Sequence, residues 1–289
     1  MSLLPVRIVT DSSCDLPATL IEALKITVVP LVVRFGSEVY LDGQLSRDEF
    51  WDRALSAPPY PQTSQPSIGA FEEVFASLTA DGSSVVCLTV TSKHSGTYNS
   101  AWAASQKFAG LVHVIDTASI SLGHGLQVLA AARAAAAGRI AEEITALVTD
   151  LQRRMRMFIL LDTIEYLRRG GRADGIMPIL DRVARALRVK PLLAVVNGRL
   201  SPLTLARSHR HGLARLRREV ERLMPVEQLA VAHSRFAEAA NDVAQKLAQL
   251  TGLPLSDVLV AETGPVLASH AGPKVIGVAA VHSEKNAAA

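Results

Sequence analysis

Short runs of apolar, β-branched residues alternate with helical patterns along the first half of the chain. Continuous apolar runs of this kind are typical of strands that are buried on both faces of a sheet. The predicted strands are VRIVT (residues 6–10), ITVVPLVVRF (26–35), VVCLTV (85–90) and VHVID (112–116). The predicted helices are LPATLIEAL, SRDEFWDRALS, IGAFEEVFASL, GTYNSAWAASQKF and SLGHGLQVLAAARAAAAG. This alternation predicts a mainly parallel sheet covered by helices, in an N-terminal α/β domain over residues 1–157.

The second half of the chain has a different pattern. It opens with a predicted strand, MFILLD (157–162), and a predicted helix, GIMPILDRVARAL (175–187). Asn197-Gly198 lies between two apolar runs, which is the strongest short-range signal for a β-hairpin. The later elements are a long basic helix (208–223), the strands QLAVAHS, VLVAE and KVIGVAAVHS, and the helices FAEAANDVAQKLAQL and TGPVLASHAG. We therefore expect a C-terminal α+β domain over residues 158–285, packed directly against the first because no linker separates them.

Composition narrows the class of protein. A chain of 289 residues with 49% hydrophobic residues can bury a large core, and its length favours two domains. The two cysteines, Cys14 and Cys87, are too few for a disulfide framework. The N-terminus has no signal-peptide pattern, and the most apolar run (126–138) carries Arg133 and is too short to span a bilayer. These features predict a cytoplasmic protein without stable membrane insertion.

Positive charge is concentrated in one part of the chain. The net charge is +3, but residues 151–222 hold 17 Lys and Arg against 6 Asp and Glu, a net charge of +11. Such an excess indicates either an acidic or phosphate-bearing partner or simply arginines on solvated helix faces. Nucleic acid is not expected as the partner, because aromatic residues make up only 4% and no duplex-reading motif is present.

Two hydroxyl-rich segments lie at the starts of predicted helices. They are PQTSQPSIGAFEEVF (61–75) and TSKHSGTYNSAWAASQKF (91–108). A helix N-terminus offers unpaired N–H groups and a partial positive charge, to which serine and threonine hydroxyls add further donors. The two segments can therefore be two halves of one small anion site. The alternative is that Thr63, Ser67 and Ser95 only cap helices.

No enzyme signature is evident from the residues alone. Ser95 in KHSGTY does not fit the G-x-S-x-G pattern, and Cys14 has no activating cation beside it in the sequence. The GGR stretch at 170–172 lacks the lysine of a phosphate-binding loop, and the two histidines of SHRH at 208–211 lie among arginines, which disfavours a metal. His270 follows a Gly-Pro helix start and can be either a core group or a ligand-binding group.

Six segments, in order along the chain, resemble the DegV family of bacterial proteins. They are VTDSSCDLP (from Val9), TSQPS (from Thr63), SGTYNSA (from Ser95), EYLRRGGR (from Glu165), KPLLAVVNGRL (from Lys190) and ETGPV…SHAGP (from Glu262). The resemblance covers essentially the whole chain. It implies a two-domain α/β protein that binds a long-chain fatty acid, has no catalytic residues of its own and needs no cofactor or metal.

The same resemblance implies roles for individual residues. Thr63 and Ser95 would bind the fatty acid carboxylate, and His270 would join their hydrogen-bond network. Arg207 matches a family arginine that is linked to docking of a kinase subunit. Lys274 stands where the family often has glycine, which would place a bulkier, charged residue near His270.

Some DegV proteins present the acyl group to a separate ATP-binding subunit of fatty acid kinase, and this is the function that the resemblance implies. An apolar tunnel between the domains suits such a ligand, because burying about 15 methylenes at ~0.8 kcal/mol each contributes on the order of 12 kcal/mol before the costs of association. Two alternatives stay open: a lipid carrier without a kinase, and a serine esterase or acyltransferase that would use Ser95 with His270.

Overall fold

The computed structural model describes residues 5–56, 58–108, 110–171, 177 and 189–283. The strands are β1 (Val6–Asp11), β2 (Thr27–Val29), β3 (Val32–Phe35), β4 (Glu38–Leu41), β5 (Gln62–Ser64), β6 (Ser84–Thr89), β7 (Val112–Asp116), β8 (Met155–Leu160), β9 (Lys190–Val196), β10 (Arg199–Ala206), β11 (Val226–Ser234), β12 (Leu259–Glu262) and β13 (Val275–His282). The α-helices are α1 (Ala18–Ala23), α2 (Arg47–Ser56), α3 (Ile68–Thr79), α4 (Thr97–Ser105), α5 (Ser121–Ala136), α6 (Ala141–Arg154), α7 (Glu165–Gly170), α8 (His209–Glu221), α9 (Ala237–Thr251) and α10 (Pro265–Ala271).

The first sheet is the parallel sheet that the sequence predicts. Its four strands lie in the order β2–β1–β6–β7, and every neighbouring pair is parallel. Helices α3 and α4 cover one face, where Val9, Phe71 and Ala101 belong to one buried cluster. The strands are buried on both faces, which explains why their sequences are continuously apolar rather than alternating.

The second sheet has six strands in the order β10–β9–β8–β13–β11–β12. All neighbouring pairs are antiparallel except β11 and β12, so the predicted mixed α+β character is confirmed. The predicted hairpin is also confirmed: Asn197 and Gly198 have φ values of 49° and 78° between β9 and β10. Two consecutive positive φ angles are the geometry that favours Asn-Gly in a two-residue turn. Helices α8 and α9 cover the outer face.

Helices α5 and α6 fill the space between the two sheets. One buried cluster includes Ile8 of the first sheet, Leu122 of α5, Ile144 of α6 and Ala232 of the second sheet. Helix α5 contacts strands of both sheets, and this double contact explains its alanine- and glycine-rich sequence. A Cβ atom added at Gly125, for example, would lie 2.5 Å from the Cys14 carbonyl oxygen. None of the helices in the described ranges is long and apolar enough to cross a membrane.

A third, small sheet corrects the sequence prediction. The predicted single strand 26–35 is two strands: β2 joins the parallel sheet, whereas β3 joins an antiparallel sheet of order β4–β3–β5. The break falls at Pro30, which has no backbone N–H to donate to a neighbouring strand. Strand β5 carries Thr63, so this residue pairs with Val33 in a sheet instead of capping a helix; Ser67 caps α3.

Other boundaries differ from the prediction in smaller ways. Helix α6 is not among the predicted elements, although its charged first and last turns fit a helix well. The predicted helix at 175–187 lies outside the described residues, apart from Met177. The division into domains at residue 157 stays a prediction; strand β8 runs across that position.

Two glycines provide a test of this packing. A Cβ atom at Gly212 of α8 would lie 2.5 Å from the buried Leu160 side chain, so Gly212→Ala should destabilise the protein by about 1–3 kcal/mol. Gly69 lies on the exposed side of α3 with only the Ser67 hydroxyl within 4 Å, so Gly69→Ala should stabilise by about 0.5–1 kcal/mol. Urea unfolding measures both. Equal effects of the two substitutions would contradict the close approach of α8 to β8.

Candidate functional site

A cavity lies between the first sheet, the second sheet and the helix α10. Nine of the side chains that line it can donate or accept hydrogen bonds: Ser13, Thr63, Ser64, Gln65, His94, Ser95, Ser121, Thr263 and His270. We call the part lined by Thr63, Gln65, Ser95 and His270 the polar end of the cavity. The remainder is apolar, with Leu31, Val90, Ile120, Met157, Ile159, Leu161, Leu167, Leu193, Leu200, Ala232, Val266, Leu267, Ala271, Val275 and Gly277. Among the described lining residues none is Asp, Glu, Lys or Arg, so the cavity suits a ligand that is mostly hydrocarbon.

Strands β8 and β9 supply one apolar wall of this cavity. Met157, Ile159 and Leu161 alternate along β8 and its continuation, so their side chains share one face. Leu193 lies opposite Ile159 on β9 and adds to the same face. Gly277 on β13 leaves space there: a Cβ atom at this position would lie 2.9 Å from the Met157 methyl group.

The structure brings together three of the residues that the sequence singles out. Thr63, Ser95 and His270 all line the cavity, and each is half-buried. The Thr63 Oγ1 and His270 Nε2 atoms are 2.7 Å apart, a hydrogen bond across 207 positions of sequence. The Ser95 hydroxyl is 2.8 Å from the Thr97 hydroxyl and accepts a bond from the Thr97 N–H at 3.3 Å. When the Thr97 hydroxyl is the donor of this pair, the Ser95 hydroxyl keeps its own hydrogen to donate to a ligand.

Glycines in the sequence motifs allow these segments to meet. A Cβ atom at Gly96 would lie 2.8 Å from the Gln65 side-chain nitrogen, which brings the TSQPS and SGTY segments into contact. Gly170 at the end of α7 passes so close to the His270 ring that no side chain fits between them. Gly272, with φ of 79°, packs in the same way against the Tyr166 ring. Close packing at these glycines therefore joins the TSQPS segment to SGTY, and EYLRRGGR to the segment that carries His270.

Similarity to known proteins agrees with this geometry. Residues 5–283 match the family model described as "Uncharacterised protein, DegV family". The chain belongs to the DegV family. The resemblance inferred from the six sequence segments is thereby confirmed.

Relatives match the DegV chain over nearly its whole length. A DegV domain-containing protein from Deinococcus radiodurans is 36% identical, over 95% of this chain and 97% of its own. A solved DegV family protein from Thermus thermophilus, for which fatty acid binding is described, has a TM-score of 0.88 at 31% identity, covering 97% of this chain and 100% of its own. A fatty acid (stearic acid)-binding protein from Eubacterium ventriosum has a TM-score of 0.86 at 27% identity, covering 96% and 98%. These structures confirm the fold class of the DegV chain.

Two residues that the DegV resemblance singles out lie away from the cavity lining. Arg207 is exposed, between the end of β10 and the start of α8. Lys274 is also exposed, so its side chain does not obstruct the polar end of the cavity. The Lys274 backbone has φ of 57°, in the left-handed region that glycine adopts most easily, and its N–H bonds the Ser234 carbonyl at 2.7 Å. This backbone conformation gives a physical reason for glycine at that position.

Ser95, His270 and His94 each make a hydrogen bond in the DegV site. Ser95 bonds Thr97, whereas the Nε2 atom of His270 bonds Thr63 and that of His94 accepts the Leu200 N–H at 3.1 Å.

Burial raises the pKa of the Cys14 thiol to about 12, which keeps it protonated and unreactive. The described residues contain no cluster of three or more His, Cys, Asp or Glu placed to hold a metal ion.

Sequence reasoning missed two carboxyl groups that flank the backbone before α10. Asp15 accepts hydrogen bonds from the Gly264 N–H at 2.8 Å and from the Ser121 hydroxyl at 2.6 Å. Asp42 lies close to the same glycine, since a Cβ atom at Gly264 would be 3.5 Å from both Asp42 oxygens and 3.6 Å from the Asp15 Oδ1 atom. Burial raises the pKa of Asp15 to about 7 and that of Asp42 to about 6. The segment VTDSSCDLP of the family contains Asp15, but nothing in its spacing indicates burial.

These raised values predict the sign of a pH effect on stability. Because the folded protein binds a proton at Asp15 more tightly than the unfolded chain does, the contribution of this group falls as pH rises from about 4 to about 7. Asp15→Asn removes the titration, so the variant should lose less unfolding free energy than the wild type between pH 5 and pH 8. Urea unfolding across that range measures the difference. Asp52→Asn, at an exposed position, is the control, and parallel curves for the Asp15 variant and the wild type would contradict the prediction.

Proposed function

We propose that this DegV protein binds a long-chain fatty acid, with the hydrocarbon in the apolar part of the cavity and the carboxylate at Thr63, Ser95 and His270. The observation that carries the proposal is that these three side chains line one mostly apolar cavity, in which Thr63 and His270 are hydrogen-bonded to each other. The fatty acid binding described for the Thermus thermophilus and Eubacterium ventriosum relatives supports it.

Physical chemistry favours an acid ligand over a neutral lipid. A carboxylate loses its hydration when it enters the cavity, and this loss must be offset by hydrogen bonds at the polar end. Thr63, Ser95 and His270 supply donors without a lysine or arginine among the described lining residues. A carboxylate held by neutral donors keeps more of its nucleophilicity than one paired with a guanidinium, which suits presentation of the group for reaction.

The finer part of the proposal is a partner. We infer that the protein presents the carboxylate to a separate ATP-dependent kinase subunit, which transfers the γ-phosphoryl group of ATP, and that the DegV chain contributes no catalytic residue. Exposed Arg207 is the candidate contact for that subunit. The excess of arginine on and around α8, with Arg210, Arg217 and Arg218 exposed, gives the same side of the protein a positive charge that suits an acidic partner surface.

Removal of the head-group hydroxyls tests the ligand. Thr63→Val and Ser95→Ala should each weaken fatty acid binding by about 10-fold, since a hydrogen bond to a charged group contributes about 1.5–3 kcal/mol. Displacement of a fluorescent fatty acid measures the affinity, and native mass spectrometry of the purified wild type identifies any lipid that it carries. Ser67→Ala is the matched control, because Ser67 only caps α3 and does not line the cavity. Full affinity in the Thr63/Ser95 double variant would refute the site.

Substitution of Arg207 tests the partner separately. Arg207→Ala should bind fatty acid as the wild type does, because the residue is exposed and outside the cavity lining. With a fatty acid kinase ATP-binding subunit and ATP, it should form acyl phosphate at least about 10-fold more slowly, the loss expected for one charged contact. Absence of acyl phosphate from wild-type protein would instead favour a carrier without a kinase. Hydrolysis of a chromogenic acyl ester by the protein alone would favour the esterase alternative.

A further inference from the structure

The loop that carries Ser95 is joined to the β9–β10 hairpin by two hydrogen bonds. The Thr91 hydroxyl donates to the Gly198 carbonyl at 3.0 Å, and the Leu200 N–H donates to the His94 Nε2 atom at 3.1 Å. Gly198 is required at the first of these contacts, because a side chain there would overlap the Thr91 hydroxyl. The turn of the hairpin and the loop before α4 therefore hold each other in place.

Within this contact, His94 bonds the backbone of an edge strand. Strand β10 is at the edge of the six-stranded sheet, so the outward-facing N–H groups of β10 have no strand to pair with. The His94 ring satisfies one of them, and a ring whose Nε2 atom accepts a hydrogen bond carries its proton on Nδ1 when neutral. His94, Ser95 and Leu200 all line the cavity, so the bond forms part of the cavity wall.

Ser95 follows His94 directly in the chain, and its hydroxyl is oriented by Thr97 on the other side. The loop is thus fixed at both ends: by the His94–Leu200 bond before Ser95 and by the start of α4 after it. We propose that His94 is a positioning residue for the ligand carboxylate, which sets the place of the Ser95 hydroxyl by anchoring its loop to the β10 backbone. This inference rests on the proposed binding of a fatty acid at Ser95.

Experiment can distinguish two roles of His94: positioning of the Ser95 hydroxyl, and contact with the hydrocarbon as part of the cavity wall. A wall residue contacts the hydrocarbon, so its loss affects acids and esters alike. A residue that places the Ser95 hydroxyl affects only ligands whose head group needs that donor, because a buried carboxylate depends on strong hydrogen-bond donors, whereas a methyl ester carries no charge to compensate. Palmitic acid and methyl palmitate therefore form a suitable pair of probes.

The decisive experiment compares His94→Gln with His94→Asn. The glutamine amide oxygen can reach the place of the imidazole Nε2 atom and accept the Leu200 N–H, whereas the asparagine side chain is too short by one methylene. We expect His94→Asn to bind palmitic acid roughly tenfold more weakly, as after loss of one hydrogen bond to a charged group, and to bind methyl palmitate as the wild type does. His94→Gln should restore the affinity for the acid.

Leu203→Ala on the exposed side of β10 is the control and should change neither affinity. If His94→Asn weakens both ligands equally, or neither, the positioning role is refuted while acid binding by the wild type still supports the proposed function. If the wild type binds no palmitic acid, the proposed function fails first, and this inference with it. Urea unfolding checks that the variants fold; His94→Leu, which also lacks an acceptor, replaces the asparagine variant if that one does not fold.

Discussion

The packing of α5 between two sheets is the constraint on which the rest of the structure depends. This helix contacts β1 and β6 on one side and β8, β11 and β13 on the other, so its thickness sets the distance between the sheets. Gly123 and Gly125 keep it thin where it meets Ser119, Met157 and Cys14. Ile120, which precedes α5, and Ser121, its first residue, line the cavity. The inner face of the second sheet lines it as well, through residues such as Ile159 and Leu193. A bulkier helix would separate the walls that a slender hydrocarbon needs.

The polar end of the cavity is built from parts that are distant in sequence. Strand β5 supplies Thr63, the loop before α4 supplies Ser95, and α10 supplies His270. Each part is held by packing or pairing contacts: the pairing of β5 with β3, the Gln65 contact with Gly96, and the closeness of Gly170 to the His270 ring. For the proposed recognition of a carboxylate, donors held in place before the ligand arrives reduce the cost of ordering the site.

The buried carboxyl groups connect the polar end to the core. Asp15 bonds both Ser121, at the start of α5, and Gly264, just before α10, so it links the central helix to the helix that carries His270. Burial, offset only in part by hydrogen bonds and by the charge of Arg47, raises the pKa of Asp15 and Asp42 towards neutrality. The protonation of Asp15 and Asp42 therefore depends on pH in a range where ordinary aspartates are fully ionised.

The sequence predicts much of the fold because local patterns suffice for it. Continuous apolar runs identify the buried parallel strands, and Asn197-Gly198 identifies the hairpin from turn geometry alone. The prediction fails at residues 26–35, where two strands of different sheets adjoin and only Pro30 indicates a break. A strand of three residues such as β5 has too short a pattern to be recognised, which is why Thr63 reads as part of a helix start.

The sequence by itself determined the family, most of the elements and, through the family motifs, the candidate residues Thr63, Ser95 and His270. Only the tertiary structure decided that these side chains line one cavity, that His94 and Gln65 join them, and that Asp15 is buried and Asp42 half-buried near it. The physical reason is that the 2.7 Å contact between Thr63 and His270 depends on the packing of three sheets, whereas sequence patterns report only interactions within a few residues. Burial, and hence the raised pKa of a carboxyl group, is likewise a property of the assembled core.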